Sequence, residues 1–360
     1  MKKTSSFVLS MFLLMGLFLT SQLACDKKDG DKKKAADDQN QPVKGTETVK
    51  PPVNGKVAVG PVEPAKDEPA KVEPVKAPPV QLPEAKIVVE NAGGENKVAL
   101  RYLYKAGDVT VAMMELKMGM QISMGANQQP AVSLPMMKMN MKITNKEVKT
   151  SGNLVYDFIL DSVDVVADDK TPPAMVESMK TALNDIKGMN GSAEVTTRGI
   201  TTSAEMKMPA NTNPQLTSMM DNMRQQMNQM SVPLPEEPVG QGATWTVTTQ
   251  MTSGGILLTN QYKYTLVKID GSNIEMKVEL LQSAEPQELK NPNLPAGTVV
   301  KLQEFKSGGQ GTVKMDLSKM VPNSEITSET KMKMEVQAGG QTQTIEQAMT
   351  LALKLYPEQK

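Results

Sequence analysis

The sequence predicts a mostly β, α+β fold: a long curved antiparallel sheet or half-barrel covered by two amphipathic, methionine-rich helices. Beyond Lys86 apolar and polar side chains mostly alternate, which places one face of a strand on a core and the other in water. Short Gly, Ser and Asn clusters separate the alternating segments, as turns do between antiparallel strands. Two other segments carry apolar residues at spacings of three and four, which is typical of amphipathic helices.

The first 24 residues have the pattern of a signal peptide. Lys2 and Lys3 precede an apolar run over residues 7–19, and small residues then lead into Cys25, the only cysteine of the chain. The run is shorter than the ~20 residues that a membrane-spanning helix needs. We therefore predict a secretory leader over residues 1–24 and no permanent membrane helix.

Residues 25–86 have the composition of a disordered tether. Asp-Lys clusters give way to an alternation of Pro, Val, Lys and Glu, with almost no large apolar side chains. Such a segment cannot bury enough surface to offset the entropy lost on ordering, and its prolines favour an extended backbone. Residues 87–360 are then predicted to form one β-rich domain.

The predicted strands follow the alternation. The first hairpins use residues 116–124 and 137–143, with a turn at Ser151-Gly152-Asn153 and a return strand over 154–160. Ser253-Gly254-Gly255 and Ser307-Gly308-Gly309 are predicted to be hairpin turns because no helix or Lys-Ser/Thr pair follows either of them. Further strands are predicted at 193–198, 200–208, 243–251, 257–269, 273–282, 299–306, 311–317, 328–337 and 341–355.

Two segments are predicted to be helices that cover the sheet. The first spans residues 174–187, where Thr171 can cap the helix and the two following prolines suit its first turn. The second spans residues 215–230 and ends before Pro233. The apolar faces consist of Met175, Val176, Met179, Leu183 and Ile186 in the first helix, and of Leu216, Met219, Met220, Met223, Met227 and Met230 in the second.

The leader and the tether together resemble the signal of bacterial lipoproteins, in which a peptidase cuts before a cysteine that then carries acyl chains such as palmitate. This resemblance implies that Cys25 is the site of lipid attachment. It also implies a chain anchored to the inner or outer membrane of the bacterial envelope, facing the periplasm or the cell surface. Gln22 departs from the family pattern, which usually has Leu at that place.

The segments Val98-Ala99-Leu100-Arg101-Tyr102 and Pro238-Val239-Gly240-Gln241-Gly242-Ala243-Thr244-Trp245 resemble a group of bacterial lipoproteins of unknown function, over roughly residues 96–356. The predicted layout is similar, in architecture alone, to periplasmic carriers of the LolA and LppX kind. A shared fold does not establish a shared function.

Composition argues against several classes of function. Forty basic and forty acidic residues cancel, and aromatic residues make up 3% of the chain, so that neither a basic field nor stacking platforms for nucleic acid are expected. The chain has no histidine and no cysteine after Cys25, and it shows no organised nucleophile and base. We therefore expect no enzyme, no metal site and no cofactor other than the lipid on Cys25.

The 29 methionines admit three interpretations. The favoured one is that they fill the core in place of Leu and Ile, and the second is that they line a deformable cavity for a hydrophobic ligand. The third, a copper(I) site, is the least favoured because one helical face already explains the spacing. Trp245 is favoured as a core anchor, with ligand contact as its alternative. The candidate residues for binding a hydrophobic ligand are Met219, Met223, Met227, Met230 and Trp245.

Four acidic residues near position 165 are interpreted as a solvated loop, because no calcium-loop pattern accompanies them. They are Asp161, Asp164, Asp168 and Asp169.

The function expected overall is a non-catalytic binding or carrier module for a hydrophobic ligand or an envelope partner, with the ligand held between the sheet and the second helix. The alternative is a structural or assembly lipoprotein with a solid core.

Overall fold

The computed structural model describes residues 85–125, 127–167, 171–184, 186–207, 231–253, 255–289 and 297–358. All of them belong to one compact unit that includes Pro79–Lys360. The predicted leader and nearly all of the predicted tether lie outside the described residues.

Antiparallel strands of one sheet make up most of the described chain. Their order across the sheet is β1-β9-β10-β11-β13-β14-β15-β2-β5-β6-β7-β8, while β12 pairs with β13 and both β3 and β4 pair with β2. The sheet is open, with β1 and β8 at its edges. The elements are β1 (Lys86–Asn91), β2 (Val109–Met124), β3 (Asn127–Gln128), β4 (Val132–Ser133), β5 (Met136–Val148), β6 (Leu154–Val166), α1 (Pro173–Asn184), β7 (Asn190–Val195), β8 (Thr201–Lys207), β9 (Thr244–Ser253), β10 (Ile256–Asp270), β11 (Asn273–Ser283), β12 (Gln287–Glu288), β13 (Val299–Asp316), β14 (Asn323–Ala338) and β15 (Gln341–Pro357).

The alternation in the sequence correctly predicts the long strands and several turns. Gly152, Gly255 and Gly271 have positive φ angles at the hairpins where turns are predicted, a conformation that glycine adopts without steric cost. Residues 98–102 are not a strand, although Val98 forms a single bridge with Val239. The edge strand β1 was not predicted, because it begins where the tether composition ends.

The predicted turn at residues 307–309 is wrong. Strand β13 runs through this segment without interruption and pairs along its length with β14. A Cβ atom on Gly309 would lie 2.6 Å from the carbonyl oxygen of Thr327, so the two backbones approach too closely for a side chain. The glycine therefore allows close strand packing, which sequence alone does not distinguish from a turn.

The first predicted helix is confirmed as α1, which buries Val176, Met179 and Leu183 and packs on β6. The second predicted helix lies outside the described residues. Cover by two methionine-rich helices is therefore not supported, since the described residues contain one short helix. Two irregular segments also cover the buried face, with Leu100 and Tyr102 from one and Val232, Leu234 and Val239 from the other in the same core cluster.

The buried face of the sheet carries two apolar clusters. The larger one contains Trp245, Tyr262 and Tyr264, which are fully buried. The smaller one lies further along the same strands and is rich in methionine. Its buried members are Met251, Ile256, Leu258, Leu289, Val300, Leu302, Phe305, Met332 and Met334.

A row of five buried polar side chains separates the two clusters. Thr249, Asn260, Gln282, Ser307 and Thr330 lie opposite one another on β9, β10, β11, β13 and β14. Gln282 Nε2 donates to Asn260 Oδ1 at 2.8 Å, and Thr330 Oγ1 donates to Ser307 Oγ at 2.8 Å. Asn260 Nδ2 and Gln282 Oε1 have no hydrogen-bond partner. The buried face is thus polar at one level of the sheet.

No helix among the described residues is long and apolar enough to cross a membrane.

Candidate functional site

Most of the residues singled out from the sequence lie outside the described part of the chain. This applies to Cys25 and to the four methionines Met219, Met223, Met227 and Met230. Trp245 is the one candidate for ligand binding that the structure places.

Trp245 lies in the larger apolar cluster and exposes none of its surface. Its Nε1 donates to the carbonyl oxygen of Pro233 at 3.1 Å, and its ring stacks on Tyr264 with centroids 5.5 Å apart. A buried indole whose N–H is satisfied has the surroundings of a core anchor. Contact with a ligand stays a prediction for this residue.

Most methionines of the described strands occupy the buried face. Met114, Met137, Met276, Met332 and Met334 are each at most 6% exposed, as expected for side chains that replace Leu and Ile in a core. Within the described residues no group of three or more acidic, histidine or cysteine side chains could hold a metal ion. The loop predicted for the acidic residues is wrong for Asp161 and Asp164, which lie in β6 because that strand continues to Val166. Asp168 and Asp169 lie outside the described residues.

Four of the buried tyrosines provide no acid or base near neutral pH. Burial raises the pKa of Tyr102, Tyr104, Tyr156 and Tyr264 above the usual value of a phenol. Tyr102 and Tyr104 stack with ring centroids 5.2 Å apart. These phenols remain neutral and serve packing.

A groove of about 1310 Å³ crosses the sheet from β11 to β4. One cross-strand row of outward-facing positions follows its axis over six strands, from Leu281 at one end to Ser133 at the other. At ~4.8 Å between neighbouring strands this row is roughly 24 Å long. The row consists of Leu281, Gly308, Glu329, Thr350, Gly119 and Ser133.

Small side chains create the floor of this groove. Gly308 and Gly119 lie on the axis, and Ala348 and Ala352 flank Thr350 on β15. A Cβ on Gly308 would meet nothing closer than 4.0 Å, whereas a Cβ on Gly119 would lie 2.7 Å from Thr350 Oγ1. The groove exists because these outward positions lack large side chains.

The groove combines apolar surface with charge. Leu281 is 54% exposed, so it leaves apolar surface in contact with water at one end of the groove. Its charged lining consists of Lys117, Lys306, Glu329 and Lys331. A concave surface that combines apolar side chains with a few charged groups has the composition of a ligand site.

Sequence reasoning missed this site. The alternation does place Lys117 and Gly119 on the water-facing side of their strand, and the run of Gly, Ala and Thr at outward positions was the available signal. The groove forms only when β11, β13, β14, β15 and β2 lie side by side.

Part of the chain matches a known family model. Residues 182–322 match a family of unknown function (DUF6263). This agrees in part with the predicted resemblance to lipoproteins of unknown function. No curated protein matches the chain.

Similarity to solved structures is weak. OmpT, an outer membrane protein of Vibrio cholerae, is 7% identical, with 70% of this chain and 100% of OmpT covered and a TM-score of 0.17. OpdQ of Pseudomonas aeruginosa is 7% identical, with coverages of 70% and 98% and a TM-score of 0.18. TM-scores this low do not indicate a shared fold. The comparisons support neither a lipobox nor a similarity to LolA.

Proposed function

We propose that this protein is a non-catalytic binding module of the bacterial cell envelope, anchored through a lipid on Cys25, and that its groove holds a hydrophobic ligand. The groove itself is the observation that carries the proposal. Its volume of about 1310 Å³ exceeds the ~300–1,000 Å³ of ordinary small-molecule pockets. It therefore suits an extended ligand better than a compact one.

The shape and the lining of the groove favour a single acyl chain. The axis is roughly 24 Å long, and its glycine floor lets a narrow chain lie close to the backbone. Leu281 offers apolar contact at one end, and Ala348 and Ala352 offer it on β15. Covering such surface by a hydrocarbon is favourable by about 25 cal/mol per Å².

The groove is a different ligand site from the one that the sequence predicts. The sequence places the ligand between the sheet and residues 215–230, which lie outside the described residues. The groove lies on outward positions of β13, β14, β15 and β2, and Trp245 does not line it. At either site the protein would hold an apolar group without making or breaking covalent bonds.

A variant that fills the groove tests the proposal. Gly308→Leu adds a side chain where a Cβ has no neighbour closer than 4.0 Å, so the fold should tolerate it. We expect monopalmitoylglycerol to bind to the purified full-length chain in native mass spectrometry. The apparent affinity should fall at least about tenfold in Gly308→Leu, since ~1.4 kcal/mol corresponds to a factor of ten.

Thr312→Leu is the matched control, because Thr312 is exposed, lies on the same strand and does not line the groove. Its affinity should equal that of the wild type. If the wild type binds no palmitoyl compound, the proposal fails and the structural or assembly function becomes the better account.

A further inference from the structure

Two lysines in the groove face each other across neighbouring strands. Lys306 of β13 lies directly opposite Lys331 of β14, and both side chains are exposed and line the groove. Like charges placed directly opposite destabilise a sheet. The pair therefore needs an explanation.

No other pairing between described strands opposes two like charges. At every other place where two charged residues of these strands face each other, one is acidic and the other is a lysine. Examples on the same two strands are Lys301 opposite Glu335 and Glu304 opposite Lys333. These oppositely charged pairs occur in eight strand pairings: β10 with β11, β11 with β13, β12 with β13, β13 with β14, β14 with β15, β15 with β2, β2 with β5, and β5 with β6.

Neither Lys306 nor Lys331 forms an ion pair with an acidic side chain within the described residues. Lys333, two positions further along β14, forms an ion pair with Glu346 at 3.2 Å. The other neighbours of Lys306 and Lys331 across the strands are Ser283 and Ala348, which carry no charge. The pair of Lys306 and Lys331 is thus the one charged cross-strand pair of the described strands without complementary charge, and it lies in the groove.

An anion placed between the two ammonium groups would remove the repulsion. Each lysine can donate charge-assisted hydrogen bonds to a phosphate oxygen. Lys117 and Glu329 also line the groove, so its four charged side chains sum to +2. One phosphodiester, with a single negative charge, lowers that excess positive charge without reversing it.

We propose that Lys306 and Lys331 bind the phosphate of an anionic phospholipid whose acyl chain lies in the groove. This inference rests on the proposed function and adds the chemical class of the ligand. With the phosphate at β13 and β14, the chain extends over β15 and β2 toward β4, roughly 14 Å across three strand spacings. It then covers Gly119 and Thr350, together with the alanines that flank Thr350.

The test compares two ligands that share one acyl chain. Palmitoyl lysophosphatidylglycerol is anionic and monopalmitoylglycerol is uncharged, and both are titrated into the full-length chain below their micelle concentrations. We expect the anionic lipid to bind at least about tenfold more tightly at low salt, with a difference that shrinks as salt is added. The double variant Lys306→Gln/Lys331→Gln should bind both ligands with the affinity that the wild type shows for monopalmitoylglycerol.

Two controls isolate the lysine pair. Lys301→Gln/Lys314→Gln removes the same charge from β13 outside the groove and should leave both affinities unchanged. Lys306→Arg/Lys331→Arg keeps the charge and should retain the preference for the anionic lipid.

Three results would overturn the inference in different ways. Equal affinities for the two lipids, or a preference that survives the glutamine variant, would exclude the lysine pair while the groove remains a hydrophobic site. Binding of sn-glycerol 3-phosphate as tight as that of the lysophospholipid would show a site for a free phosphate. No binding of either palmitoyl compound would remove the proposed function itself.

Discussion

Strand β13 presents two faces that use glycine for opposite purposes. Gly311 points to the buried face, where an added Cβ would overlap the carbonyl oxygen of Glu325 and lie 2.7 Å from Ile326 Cγ1. Gly308 points to the groove, where an added Cβ would meet nothing closer than 4.0 Å. One glycine is required by packing, and the other leaves space for a ligand.

The same contrast extends to neighbouring strands. The buried face is filled by large apolar side chains and one polar row, so changes there alter the free energy of unfolding. The outward face at the groove carries Gly, Ala, Thr and Lys, so changes there alter binding. Stability and the proposed function are therefore assigned to opposite sides of one sheet, and the following variants test that division.

The largest difference is expected between two alanine substitutions on β13. Gly311→Ala should lower the free energy of unfolding by about 3 kcal/mol, because the new Cβ conflicts with backbone that cannot move independently. Gly308→Ala should leave it unchanged or raise it by about 0.5 kcal/mol, since alanine restricts the unfolded chain. Urea unfolding of both variants measures the two effects, and equal losses would contradict the division between faces.

A smaller effect is expected in the buried polar row. Gln282→Met should lower the free energy of unfolding by about 1–2 kcal/mol, because it leaves Asn260 Oδ1 without the donor that it has at 2.8 Å. Asn260→Leu/Gln282→Met removes the polar atoms together and should recover most of that loss. Thermal and urea unfolding measure the recovery. A double variant less stable than Gln282→Met would show that the row itself stabilises the sheet.

The smallest effect is expected at an outward ion pair beyond the groove. Glu115 accepts hydrogen bonds from Lys138 Nζ at 3.1 Å and from Tyr356 Oη at 3.0 Å, and the Lys138 contact is the main reason that its pKa lies below the usual 4.5. A lowered pKa adds stability above pH 4.5 and loses it as the pH falls through the folded value. Glu115→Gln should cost under about 1 kcal/mol at neutral pH.

Unfolding measured against pH checks the sign. The difference between Glu115→Gln and the wild type should shrink as the solution is acidified below pH 4.5. A difference that grows in acid would mean that the carboxyl group is bound in its protonated form.

The sequence predicted the strands where the pattern is local. The alternation in β2, β5, β10 and β14 identifies their buried faces, and α1 follows from Val176, Met179 and Leu183 at helical spacing. The prediction failed at Ser307-Gly308-Gly309, because glycine favours both turns and close strand contacts. The groove could not be predicted from any one segment, since its floor joins the consecutive strands β13, β14 and β15 to β2, which lies far earlier in the chain.

By itself, the sequence determined which residues form strands, which side of each strand is apolar and where several hairpins turn, because these properties depend on neighbours within a few residues. Only the tertiary structure decided that Gly308, Gly119 and Thr350 form one floor and that Lys306 faces Lys331. Register across the sheet is set by contacts between residues far apart in the chain. A local pattern carries no information about which distant residue stands opposite.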